Sequence, residues 1–565
     1  MSELIDQKEY EERADFIEEE DLLKWTVKNA FFNDIQNKIL QKGAKLIVGP
    51  RGTGKTHQMK VAYNKCLNDK SLPLAIYVSF SKYYHLEPFL YKKPNAKKIF
   101  HTWILSKILI SCYQLLSDLG SQLKLFKDNS LLNQEKLEEF TSQVEKSITQ
   151  PWHDQIISAT TINNVINIIE NLASRLKRKR IILLLDDAAL TLTPDYLVEF
   201  FDVYRSLKTK KIAPKASVYP GTTEYGPRFH PRHDAEEVEA WVSIENENYS
   251  LFMDELIEKR FTEIPDVISR DILELFKFAA FGIPRAFIVL LRNYSQMAEQ
   301  KPQEKFNKVI GNQAKLIKDE YLSLKQKMPQ FKSIIEIGYV LFDNMNNLLK
   351  QENERLADKN ERQLYIGIKP EQDQKIKRMI RFLIEAGLLY EFSSVRHGGS
   401  EREYNRYIPH MLFLIQKRAF SPDRGFNAEK IVEFIKRRQT KHPVRREFKT
   451  ILAEEQLNNI RLDLPKCSHC GAERLTDDQK FCQNCGNQLV GHSTFEKCMQ
   501  IPIDKLPISQ FQIQRIKNQT DFKTVGDIIS ATAPASELQK AHYIGPIRSE
   551  KIVMIAKALV EEFLT

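Results

Sequence analysis

GPRGTGKT, residues 49–56, decides how the chain begins to fold. It follows a short apolar run, Lys45 to Val48 (KLIV), and precedes HQMKVAYNKCL, which has helical periodicity. Gly49, Gly54, Lys55 and Thr56 satisfy G-x-x-x-x-G-K-[ST], and Gly52 adds another flexible point. Glycine at these positions lets the backbone wrap a phosphate, with amide N–H groups and a helix N-terminus facing the anion. The predicted binding set is Gly49, Pro50, Arg51, Gly52, Thr53, Gly54, Lys55, Thr56 and His57. Lys55 would reach the β- and γ-phosphates and Thr56 would hold Mg²⁺, so the expected cofactors are ATP and Mg²⁺.

Outward from this loop, apolar runs at Leu74 to Phe80, Ile181 to Leu185 and Ala216 to Tyr219 alternate with helical segments. A long helical stretch covers residues 96–176 and ends in the basic run RLKRKR. That alternation predicts an α/β fold with a parallel sheet covered on both faces. IILLL stops at Asp186 and Asp187, which places two carboxylates at the C-terminal edge of a buried strand, beside the loop. Asp186 is expected to hold Mg²⁺ through water, and Asp187 to orient or activate the attacking water.

With these motifs in place, the chain resembles the AAA+ class, and within it the initiator ATPases of the origin-recognition-complex type. GPRGTGKT matches their loop. ASVYPGTTEYG stands where the class carries its sensor-1 strand, so the resemblance makes Thr222 or Thr223 the sensor. FGIPRAFIVLL resembles the sensor-2 signature of a helical lid and implies that Arg285 reaches the γ-phosphate. YGPRFHPRH stands where a neighbour-facing arginine finger often lies, so Arg228 and Arg232 are both candidates and the protein is expected to be a homo-oligomer. The class usually ends its acidic strand in Asp-Glu. Asp-Asp here predicts slow, switch-like turnover and occurs also in related signalling NTPases. The resemblance spans about residues 20–300. It sets the expected units as an ATPase core over 1–235, with a helical insertion, and a lid over 236–330.

Residues 331–420 follow with a winged-helix pattern. The segment from Asp373 carries Ile376, Ile380, Leu383 and Ile384 at helical spacing, with Lys377, Arg378 and Arg381 on other faces. Two strand-like segments then flank Gly398-Gly399, a hairpin signal that would place Arg396 and Arg402 in a wing. In the DNA-reading version the helix enters the major groove and the wing touches backbone. Residues 421–465 read as a basic helical connector that includes Lys436, Arg437, Arg438, Arg445 and Arg446.

Cys467, Cys470, Cys482 and Cys485 form CxxC-x11-CxxC within residues 466–490. Two residues between thiolates let both reach one ion from a tight turn, and two such turns complete a tetrahedron. No ligand position is left open, so the expected ion is a structural Zn²⁺ in a zinc ribbon. Cys66, Cys112 and Cys498 read as ordinary thiols. Residues 491–565 contain Ile544-Gly545-Pro546 ahead of a helix, a helix-hairpin-helix pattern. With LPISQFQIQRIKNQTDFKTVGDII upstream, this unit resembles the C-terminal DNA-binding domain of the bacterial RNA polymerase alpha subunit. That resemblance makes Gly545, Arg548 and Lys551 contacts to DNA.

The 565 residues carry a formal net charge of +10, which suits a polyanionic partner. No run of eighteen apolar residues occurs, so no membrane span and a cytoplasmic site are expected. The N-terminus is acidic and lacks the apolar core of a signal peptide. Seven cysteines, four of them in CxxC pairs, point to metal in a reducing compartment rather than disulfides. These readings converge on an ATP-dependent DNA-binding ATPase that loads on, remodels or senses double-stranded DNA. Anti-phage defence is the favoured setting, with transposition or plasmid maintenance beside it. A signalling switch that oligomerises on a protein trigger and a replication initiator are the alternatives. No nuclease or protease constellation is present, so damage to a target would require a separate effector protein.

Overall fold

The computed structural model describes residues 17–80, 86, 95–126, 130–146, 148–187, 194–221, 223, 225–261, 268–297, 301–357, 361–396, 403–420, 427–439, 444–464, 466–467, 469–475, 479, 481–487, 489, 499–531 and 533–564. Five strands form a wholly parallel sheet: β1 (Lys45–Val48), β2 (Leu74–Ser79), β3 (Ile181–Asp186), β4 (Ile212–Val218) and β5 (Glu236–Glu239). Their spatial order is β2-β3-β4-β1-β5. Period-two alternation sorts their side chains between two cores. Leu74, Ile76, Val78, Ile181, Leu183 and Leu185 join the core beneath the helix Ala96–Asp118. Ala75, Ile182, Leu184, Ile47 and Val238 face the opposite way, against Ile35, Ile39, Met59 and Ala62 of the helices Ala30–Leu40 and Lys55–Asn68. The helix Ala96–Asp118 is long and apolar enough to cross a membrane, a feature that the run of its sequence did not announce. Trp103, Ile104, Ile108 and Leu109 on it are buried in the sheet's own core, so packing accounts for its composition.

Two strands depart from the sequence reading. β4 starts four residues earlier than expected, at Ile212, and β5 lies where the pattern had read as helix. Pro214 and Lys215 disguise β4. Lys215 is fully buried, and its Nζ donates to the carbonyls of Gln41, at 2.8 Å, and Gly43, at 2.5 Å. β5 is EEVE, with Val238 its one apolar residue. Glu236 is paired with Lys38 and Lys45, and Glu239 accepts from the Tyr390 hydroxyl at 2.5 Å. Charges satisfied in this way cost an edge strand little.

Residues beyond β5 build one continuous second core, to which the segments expected as lid, winged helix and connector all contribute. It runs from Trp241 to Ile460. The long helices Pro302–Lys327 and Lys332–Arg355 lie beside β6 (Arg362–Gln363), β7 (Ile366–Ile368), β8 (Leu389–Arg396) and β9 (Glu403–Pro409). β8 and β9 are an antiparallel hairpin, as expected, although its Gly398-Gly399 turn lies outside the described residues. The stretch read as a helical connector keeps the helices Ala428–Lys436, Phe448–Ile451 and Glu454–Asn458 and also contributes two strands. These are β10 (Arg438–Gln439), which pairs with β6, and β11 (Val444–Arg446), which pairs with β7. The C-terminal unit has its own core of Ile503, Ile513, Ile516, Val525, Ile528, Ile544 and Ile552.

Candidate functional site

The loop after β1 has the conformation that a phosphate cradle requires. Gly52 and Gly54 both sit at φ +88°, where a side chain is strained. A Cβ on Gly49 would lie 2.6 Å from Thr53 Oγ1. Gly54 precedes the helix Lys55–Asn68, so the helix N-terminus opens onto the loop. Lys55 is buried, and its Nζ donates to the carbonyls of Gly49, at 2.6 Å, and Pro50, at 3.1 Å. The same ammonium lies 4.2 Å from the centre of the Tyr219 ring. Burial pushes Lys55 down to about 8, while Asp186 and Asp187 pull it up and Arg285 and Arg51 push it further down. All four charges therefore act on one nitrogen.

Asp186 is buried at the end of β3 and accepts from the Tyr77 hydroxyl at 2.9 Å. Asp187 turns into the left-handed region, φ +53°. Its backbone N–H donates to Asp186 Oδ1, at 3.0 Å, and Ser217 Oγ, at 2.9 Å. Asp is among the residues that tolerate this conformation, and such outliers concentrate at functional sites. Arg285 begins the helix Pro284–Ser295, and its backbone N–H donates to Gly52 O at 3.3 Å. A Cβ on Gly52 would lie 2.9 Å from Cβ of Arg285, so the lid helix sits directly against the loop.

Lys55, Asp186, Asp187, Arg51 and Arg285 thus meet, although more than 200 residues separate the first from the last. Thr53 is buried and donates to Pro50 O at 3.0 Å, while Thr56 is half-buried in the first helical turn. His57, by contrast, joins the helix to the N-terminal segment rather than to the cradle. Its Nε2 is 3.0 Å from Thr26 Oγ1, its ring packs on Phe32, and burial pushes it down to about 4. Thr223 donates its hydroxyl to Tyr219 O at 2.9 Å, and Thr222 lies outside the described residues. Arg228 and Arg232 are exposed. Each has one acidic neighbour, Asp202 at 3.3 Å and Glu237 at 3.6 Å respectively. Tyr77, Ser217 and Tyr219 escaped the sequence reading. Their one signal is a polar or aromatic residue closing each of two apolar strands.

The downstream unit touches this site at three places. A Cβ on Gly387 would meet Ile283 Cδ1 at 3.2 Å and Pro50 Cβ at 3.8 Å. One on Gly221, in the loop after β4, would lie 2.9 Å from Arg381 O. Tyr390 reaches Glu239 and packs edge-on against Trp241 at 4.7 Å. The helix Gln374–Glu385 therefore lies along the edge of the sheet that carries the glycine loop. Of its cations, Lys377 is half-buried, Arg378 lies 4.9 Å from the Phe331 ring centre, and the Arg381 side chain is exposed. Arg396 is paired with Glu403 at 3.2 Å, and Arg402 lies outside the described residues.

Binding of ATP should therefore be linked to proton uptake. The lowered Lys55 leaves much of the free protein without that charge above pH 8, and a bound polyphosphate restores it. Calorimetry in buffers of differing ionisation enthalpy should show uptake growing towards one proton as pH rises past 8. A Lys55→Met variant should lose that component.

The four cysteine sulfurs lie within 4.8 Å of one another. Cys467 and Cys485 are 3.7 Å apart, and Cys470 and Cys482 are 3.5 Å apart. Zn–S bonds of ~2.3 Å in a tetrahedron imply S–S separations of about 3.8 Å, so the donor set fits zinc. The two knuckles repeat one geometry. Gly471 N donates to Cys467 O and Gly486 N to Cys482 O, each at 2.9 Å, with both glycines at positive φ. Backbone amides of Cys485 and Asn484 lower Cys482 to about 6, while the neighbouring sulfurs raise Cys485 to about 12. Atomic absorption should find one zinc per chain. Cys482→Ser should lose it and open the knuckles to protease, since metal binding supplies most of the folding free energy of such small sites.

No protein-family profile matches the chain, and no curated protein matches it by sequence. Among solved structures, a Walker-type ATPase of Pyrococcus abyssi is similar over 70% of this chain and 99% of its own, at 12% identity and TM-score 0.35. The Aeropyrum pernix ORC1 protein in complex with DNA is similar over 72% and 96%, at 12% identity and TM-score 0.30. The Aeropyrum pernix ORC2 protein, solved with ADPNP and ADP, is similar over 76% and 97%, at 13% identity and TM-score 0.33. Scores this low assign neither fold nor activity. What the geometry itself shows is a glycine loop at the edge of a parallel α/β sheet, with a buried ammonium, two carboxylates and the helix of Arg285 brought against it.

Proposed function

We propose that this chain is an ATP-driven switch of the AAA+ type that acts on double-stranded DNA. The observation that carries the reading is the meeting of Lys55, Asp186, Asp187 and Arg285 at one sheet edge. Lys55 and the loop amides would bind the phosphates, with Thr56 and Asp186 holding Mg²⁺. Asp187 would orient water, and Arg285 would report the γ-phosphate from the lid. The close approach of Gly387 to Pro50 and of Gly221 to Arg381 supports a mechanical link. Any nucleotide-dependent shift of the loop must move the helix Gln374–Glu385.

DNA contact is assigned to Lys377, Arg378, Arg381, Arg396 and Arg402 of that unit, and to Gly545, Arg548 and Lys551 of the tail. Arg228 or Arg232 would complete a neighbour's site in a homo-oligomer. A protein-triggered signalling switch is the second reading. It is favoured by Arg396 being neutralised by Glu403 and by Arg378 being stacked on Phe331, which leaves the hairpin unit less charge for phosphate. Phosphate release measured against protein concentration, with and without duplex, separates the two. A DNA switch with a finger in trans gives a specific activity that rises with concentration and with duplex. A rate indifferent to duplex removes the DNA reading.

A further inference from the structure

The C-terminal unit exposes large apolar side chains far out of proportion to its size. Phe511 is 53% exposed, Tyr543 67%, Ile547 84% and Met554 64%. The unit has a complete core of its own, so these are not residues left over from a poor interior. Two of them form a built constellation. Phe511, near the start of the helix Gln510–Gln519, meets Tyr543 edge-on, with ring centres 5.9 Å apart. The guanidinium of Arg515 lies 5.1 Å from the Phe511 ring centre and 5.7 Å from that of Tyr543.

Tyr543 is held there at a conformational cost. It sits at φ +71°, a region that a bulky aromatic residue rarely adopts. Arg548 steadies the turn by donating to Tyr543 O at 2.8 Å. Behind it, Ser549 is buried, donates to Pro546 O at 2.8 Å and accepts from Gln539 at 3.1 Å. A fold that only needed this turn would place glycine at 543. The strain instead directs a ring outwards, which points to use of the ring.

We infer that Phe511, Tyr543 and Arg515 form a stacking platform for unpaired nucleobases, with Arg548 and Lys551 taking the adjoining phosphates. A base offers a flat π-face to an aromatic ring or a guanidinium plane. In a duplex that face is covered by the neighbouring base pairs, so only an unpaired base can use the platform. The surrounding charge also fits. Arg515, Arg548 and Lys551 make no ion pair among the described residues. The proposal rests on the DNA reading above. It changes what the tail grips, from a duplex to a separated strand, as an ATPase that opens or senses opened DNA would require.

The test uses the full chain and a single-stranded oligonucleotide carrying 2-aminopurine, beside a duplex of the same sequence. Tyr543→Gly removes the ring and relieves its φ, so the turn is preserved. Phe511→Ala removes a side chain outside the core. Each variant should bind the single strand about tenfold or more weakly, and the probe's stacking quench should fall with it. Duplex affinity should stay within about twofold, and ATP hydrolysis, which depends on the distant loop, should not change. Unaltered single-strand binding and quench in the double variant would overturn the platform. So would an equal loss on single strand and duplex, which would mark a general docking face. Should the parent protein bind no DNA of either kind, the proposed function falls as well.

Discussion

Replacing Lys55 with alanine should lower ATP hydrolysis by about two to three orders of magnitude, the loss found when a preorganised donor to a developing charge is removed. In the proposed site Lys55 would be the cation acting on the phosphates from within the loop, and Tyr219 and the Gly49 and Pro50 carbonyls fix its direction. The fold should not suffer in parallel. Burial lowers Lys55 to about 8. A base lowered on folding makes the native state less stable at every pH below its folded value, and this penalty fades as pH rises towards its unfolded value of about 10.4. At pH 7 the nucleotide-free variant should therefore melt no lower than the parent. Steady-state phosphate release with a parallel melting curve checks both halves. A variant that keeps its activity would remove Lys55 from the site.

The second large effect should come from Gly282→Ala. Gly282 turns the chain at φ +78° between the helices Arg270–Ala280 and Pro284–Ser295. A Cβ there would lie 1.9 Å from Val242 O, inside any allowed contact, and the atom it meets is backbone. The turn is also bonded on both sides. Trp241 Nε1 donates to Phe281 O at 2.7 Å, and Gly282 N donates to the Tyr249 hydroxyl at 3.0 Å. Relief would have to move Trp241 or the start of the lid helix, and with it Arg285. A loss of about 3 kcal/mol or more is expected, at the upper end of overpacking costs. Gly43→Ala is the control. Gly43 has a similar φ of +82°, but a Cβ there meets nothing within 4 Å. It should lose only the left-handed penalty, about 1–2 kcal/mol. Denaturant unfolding of the two variants separates steric conflict from backbone strain. Equal losses would show that the close approach at Val242 is not what fixes the lid.

The chemistry of this protein was legible wherever it is local. GPRGTGKT, IILLLDD and CxxC-x11-CxxC each carry their spacing within a few residues, and the structure brings each set together. What could not be read is what sheet register assembles. Tyr77 lies on β2, Asp186 on β3 and Ser217 on β4, and only parallel pairing makes them neighbours. β5 was lost because Glu236 is neutralised by Lys38 and Lys45 and Glu239 bonded by Tyr390, all far away in sequence, and β4 was shortened because Lys215 finds carbonyl partners inside the core. Residues 241–460 show the same limit of local reading. Turn signals and charge runs suggest boundaries, yet the apolar faces on either side of them share one interior. The direction of the His57 side chain, towards Thr26, was likewise not legible from its place next to the loop.

On the proposed function, nucleotide governs the grip on DNA. The measurement that tests it most directly is binding of a labelled duplex to the full chain with ATP, with ADP and without nucleotide, at two salt concentrations and with Lys55→Ala alongside. Salt-sensitive binding that differs between ATP and ADP is expected, with a Lys55→Ala protein fixed at the nucleotide-free level. Binding that is the same in all three states, or absent from all of them, would contradict it.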